Sequence, residues 1–128
     1  MRNYQPKKNN NYKLDKNLFS RMVYLVKDYN RMKTRINELS SDLSRAEGMG
    51  ATGQHSDPTL CKAMKIERMS GECNAVDWAL TQIPEEFRTI IFNKILFDRA
   101  YPLHADLSTF SRWKCRFLYC LAEKLDYI

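Results

Sequence analysis

Glycine and proline are scarce, with four of each in 128 residues. So few breaks leave room for long uninterrupted elements. No stretch alternates apolar and polar residues for long enough to make a strand, and the apolar positions step by three and four throughout. The expected fold class is therefore all-α. No apolar run reaches the length of a membrane span, so a membrane partner is not expected. The N-terminal MRNYQPKKNNNYK is charged but has no apolar segment behind it, which argues against a secretory leader and for a cytoplasmic protein. Four cysteines are present, Cys61, Cys73, Cys115 and Cys120, and none forms a C-x-x-C pair. The only histidines, His55 and His104, lack finger spacing. The expectation is four reduced thiols and no metal. A glycine-rich phosphate loop and a nucleophile paired with a base are also missing, and the carboxylates are scattered along helices. An enzyme or a cofactor is accordingly not expected.

What the chain does carry is positive charge, +6 net with a pI near 9.2, which favours polyanionic partners. Arg2, Lys7, Lys8 and Lys13 all precede the first acid, Asp15, so residues 1–14 read as a flexible cationic arm. Residues 15–45 read as one long helix. Three of the four glycines fall between Gly48 and Gly53, marking a linker over 46–57. Residues 58–128 form a helical unit. Asp57 followed by Pro58 is a cap-then-first-residue pairing that starts a helix running to about Gln82. Gly71 is a place where that helix bends or breaks. Pro84 precedes Glu85 and Glu86, acids suited to the first turn of a helix ending near Phe97. A connector follows over 98–107, then a last helix over 108–125.

In the first helix Leu18, Met22, Leu25, Tyr29, Met32, Ile36, Leu39 and Leu43 alternate steps of four and three without a break. A strict 3.5-residue period lines these side chains along one seam, the pattern of a coiled coil. In a parallel dimer Asp28 then falls opposite Lys33 of the partner strand. Phe19 and Val26 widen the seam, and Tyr29 is bulky for a tight dimer, which leaves antiparallel and higher assemblies open. The alternative is that the stripe packs on the chain's own C-terminal unit. A helix about 45 Å long at 1.5 Å per residue would overhang that unit, which favours pairing between chains as a homo-oligomer, a dimer first.

The last helix, LSTFSRWKCRFLYCLAEKL, holds the candidate functional residues. Ser108 is placed to cap it. Phe110, Trp113, Phe117 and Leu121 make one face apolar, while Arg112, Lys114 and Arg116 lie off that stripe with no acid before Glu123. Such a helix suits a phosphate-lined groove, and equally suits a solvated basic surface.

The ordered set Val76-Asp77-Trp78-Ala79-Leu80, Pro84-Glu85-Glu86-Phe87-Arg88, Ile90-Ile91, Tyr101-Pro102, Thr109 to Lys114 and Leu121 to Leu125 resembles the RinA/ArpU-type phage transcriptional regulators. Their C-terminal part is similar to region four of bacterial sigma factors. The resemblance spans about residues 57–127. It implies a helix-turn-helix that binds double-stranded promoter DNA in a phage or prophage, in the cytoplasm of a bacterial host, with RNA polymerase as a further partner. Carried over residue by residue, it assigns DNA contacts to Thr109, Ser111, Arg112, Lys114 and Arg116. Thr109 and Ser111 would meet phosphate near the helix N-terminus or a base edge, Arg112 or Arg116 a guanine, and Lys114 a phosphate. One departure stands out: a standard motif has a first helix of about two turns before the recognition helix, and residues 98–107 leave room for a single turn. Either the helix before it supports the last one, or the motif is degenerate. Two other functions fit the same features: a small-terminase-like DNA-packaging subunit, built as a ring, and a helical adaptor whose basic helix binds an acidic protein.

Overall fold

The computed structural model describes residue 5 and residues 11–48, 57–102 and 106–128. Among these residues there are five helices and no strand: α1 Lys16–Lys27, α2 Tyr29–Gly48, α3 Asp57–Thr81, α4 Glu85–Phe97 and α5 Leu107–Lys124. The all-α expectation holds. Arg2, Lys7, Lys8, His55, His104 and most of the linker lie outside the described residues, as does the side chain of Asp57.

The single helix expected over 15–45 is two helices that meet at Asp28. The Asp28 carbonyl accepts the Met32 N–H at 2.9 Å, and its carboxylate takes both Arg31 Nε and Nη2. These bonds hold the Asp28 carboxyl below its usual range, mainly through the Arg31 hydrogen bond. Asp28 thus pairs with Arg31 of its own chain. The same residue divides the chain into two compact units, one of residues 1–27 and 75–128, the other of residues 28–74.

In the first unit α1, α4 and α5 pack on one another. Phe19, Met22, Val23 and Val26 of α1, Phe87, Ile91 and Ile95 of α4, and Phe110, Phe117, Leu118 and Leu121 of α5 are buried. Val76, Ala79 and Ile83 join them from the end of α3 and the turn after it. Glu85 and Glu86 occupy the first turn of α4, where negative charge favours the helix dipole. At its other end Asp98 takes the left-handed conformation (φ 51°), donates its N–H to Lys94 O at 2.9 Å and receives Lys94 Nζ at 3.1 Å. α5 closes in a Schellman pattern, with Tyr127 N–H to Ala122 O at 2.9 Å and Asp126 (φ 62°) N–H to Glu123 O at 3.0 Å.

The second unit is a helical hairpin. Met32 and Leu39 of α2 and Met69 and Cys73 of α3 are buried together, with Tyr29, Ile36 and Ile66 packed around them. Asp42 of α2 meets Lys62 of α3 at 3.8 Å. The heptad stripe is thus used inside the chain. Met22 is buried in the first unit, with Leu18 and Leu25 half-buried beside it; Met32 and Leu39 are buried against α3, with Tyr29, Ile36 and Leu43 half-buried. A 3.5-residue period tells that a helix has one long apolar seam, not which chain covers it.

α3 continues unbroken through Gly71, which is exposed; beyond its chain neighbours and its own helix backbone, a Cβ there would meet nothing within 4 Å. Gly71→Ala should therefore raise the unfolding free energy by about 0.5–1 kcal/mol, because alanine has the better helix propensity. Chemical denaturation checks this; a loss of stability would show that the helix needs glycine there.

Candidate nucleic-acid interface

α5 is more deeply buried than its spacing suggests. Besides the expected Phe110, Phe117 and Leu121, the residues Lys114, Cys115, Leu118 and Ala122 are buried. Trp113 is half-buried, stacked on Phe87 at 6.0 Å. Phe110 meets the Phe87 ring edge-on at 5.6 Å and stacks on Tyr101 at 4.5 Å. α1 and α4 both pack on α5.

Three of the five candidate residues share the outer face. Thr109, Arg112 and Arg116 stand at i, i+3 and i+7, one stripe of an α-helix. Arg112 is exposed and pairs with no described residue. Ser111 is half-buried and lies one turn from the buried Cys115, at the edge of the core.

Lys114 is not on this surface. It is 5 % exposed, with its Nζ 5.8 Å from the centre of the Phe19 ring. Burial pushes its pKa down; Lys94 and Lys27 add to that and Asp98 opposes it. Buried there, Lys114 is not placed for the phosphate contact carried over to it. Its spacing from Phe110, Phe117 and Leu121 is the spacing of the core stripe, and that outweighed its charge. The unfolded chain holds this proton to higher pH than the folded one, so below the ordinary lysine pKa its charge opposes folding. Lys114→Met, which keeps the volume and removes the charge, should raise stability at neutral pH by on the order of 1 kcal/mol. Thermal melts of the two proteins test this, and a clear fall in melting temperature would contradict it.

The N-terminus of α5 also differs from expectation. Asp106, not Ser108, is the cap residue; its carbonyl accepts the N–H of Thr109 at 3.0 Å and of Phe110 at 3.3 Å, while its side chain makes no capping bond. Ser108 lies inside the first turn. A carboxylate therefore stands where a helix N-terminus would otherwise welcome phosphate.

Arg116 brings in a feature that local spacing did not signal. Its guanidinium lies 5.2 Å from the Tyr12 ring and 5.6 Å from the Trp113 ring, and its Nε is buried without a hydrogen-bond partner among the described residues. Tyr12 also meets Tyr119 edge-on at 5.3 Å, and its carbonyl accepts the Cys115 thiol at 3.1 Å. Gln5 exchanges two hydrogen bonds with the Leu14 backbone, 2.9 and 2.8 Å. The described part of the arm is thus pinned alongside the outer face of α5. The charge pattern of the arm points to a flexible cationic tail and carries no signal of this contact.

Comparison with protein-family models, curated proteins and solved structures finds no match.

No group of three or more His, Cys, Asp or Glu among the described residues could hold a metal ion. None of the four cysteines forms a disulfide, and Cys73 and Cys115 are buried. No helix among the described residues is long and apolar enough to cross a membrane. One titration is distinctive: burial pushes the Tyr101 phenol up to about 12, with Asp98 adding to it. From about pH 10 upward the unfolded chain loses this proton first, so stability falls as pH rises toward 12. In Tyr101→Phe that fall should be shallower, as melts across this range would show; an unchanged slope would deny Tyr101 the role.

Proposed function

We propose that the chain is a DNA-binding regulator whose α5 lies in the major groove with Thr109, Arg112 and Arg116 toward the DNA. The observation that carries this reading is the asymmetry of α5. One side is buried against α1 and α4, and the other offers arginines with no acidic residue before Glu123. A helix held rigidly on two others, with cations on its free side, meets the requirement for groove insertion. Arg112, exposed and unpaired among the described residues, is the base-reading candidate, because a guanidinium can take guanine O6 and N7 together. Arg116, held between Tyr12 and Trp113, is the backbone-positioning candidate. The resemblance to the RinA/ArpU-type regulators supports the same reading and adds promoter DNA and RNA polymerase as partners. DNA selection on the purified protein tests it. Enrichment of a common sequence containing guanine supports base reading, and a selected pool indistinguishable from the starting pool refutes it.

A further inference from the structure

The second unit has a face that no described residue of its hairpin covers. On α3 the residues Leu60, Met64, Glu67 and Gly71 follow one another at steps of four, three and four, so they form a single stripe. This stripe lies opposite Ile66, Met69 and Cys73, which face α2. Leu60 and Met64 are 61 % and 60 % exposed, among the most exposed large apolar side chains described. Gly71 is open: apart from its chain neighbours and its own helix backbone, nothing lies within 4 Å of where a Cβ would stand. The hairpin itself is thin: two helices make one interface, here closed by four buried side chains. Units this small commonly need a further partner to complete their packing.

We propose that this face is the site where two copies of the chain dock, α3 against α3 in antiparallel register about a twofold axis between Glu67 and Arg68. The register follows from self-complementarity, since in a twofold contact residue i meets j and j meets i. With the axis there, Met64 of each copy stands over Gly71 of the other. The one large flexible side chain thus meets the one position with no side chain at all. The same register sets Glu67 against Arg68, opposite charges, on both sides of the axis. Both residues are exposed, and neither pairs with a described residue of its own chain. A parallel register would instead place Met64 against Met64 and Gly71 against Gly71, leaving a void at one end.

Two copies joined in this way would present two α5 helices, but the docking itself does not rest on DNA recognition. Sedimentation equilibrium of the full chain, without DNA, over a concentration series tests it. The expected result is a monomer–dimer equilibrium that Met64→Asp weakens by about tenfold or more. Because Met64 is exposed, helicity by circular dichroism should be unchanged in that variant. Glu67→Arg and Arg68→Glu should each weaken association, and the double exchange should restore it. Gly71→Ala should weaken association while stabilising the fold, a split that a purely local role for Gly71 would not give. A chain that stays monomeric throughout, a closed ring of many copies, or a dimer indifferent to these substitutions would each overturn the proposal.

Discussion

Phe110→Ala is expected to cost about 3–5 kcal/mol, the range for deleting a fully buried phenylalanine. Phe110 is completely buried, with Phe87 edge-on to it and Tyr101 stacked on it. It ties α4, the connector and the first turns of α5 together, so the cavity would open where three segments meet. Such a loss is a large share of the stability of a chain this size. The variant should melt far below the parent or fail to fold at all. The milder Phe110→Leu should fold and lose less, since it keeps most of the apolar volume. Chemical denaturation of both variants checks the order. If Phe110→Ala cost less than about 1 kcal/mol, the packing of α5 described above would be wrong.

The second large effect concerns recognition. Arg112→Ala should weaken binding to a selected site by about 1–3 kcal/mol, roughly fivefold to 150-fold, and relax preference at one base pair. Binding to random DNA should fall much less, because a base contact is missing there in the first place. Arg112 sits on the outer face of a helix with no described partner, so its removal leaves the fold untouched. Equal losses on selected and random DNA would move Arg112 from base reading to phosphate positioning.

Some of this was legible in the residues and some was not, for physical reasons. The starts of α3 and α4 follow from Pro58 and from Pro84 with Glu85 and Glu86, since proline and first-turn acids act locally. The break at Asp28 is different. No glycine or proline marks it, and the apolar period runs across it unbroken, so only the packing of two separate units reveals it. For the same reason the seam from Leu18 to Leu43 looked like an interface between chains, although much of it is covered within one. Lys114 shows two local signals in conflict. Its charge assigned it to the surface and its spacing to the core, and the spacing prevailed because Phe110, Phe117 and Leu121 set the orientation of the helix. The seating of Tyr12 against Arg116 and Tyr119 depends on residues more than a hundred positions apart in sequence, where no periodicity reaches.

The central claim is that the outer face of α5 binds DNA through its arginines. Fluorescence polarisation of a labelled duplex, titrated over a range of salt, tests it most directly when run on the parent chain, Arg112→Glu and Lys114→Met together. The parent should bind with an affinity that falls linearly on a double-logarithmic salt plot, as counterion release requires. Arg112→Glu should lose binding at every salt concentration, and Lys114→Met should overlay the parent because Lys114 is buried away from that face. No binding by the parent at low salt, a salt-independent affinity, or a loss in Lys114→Met that Arg112→Glu does not share would contradict the account.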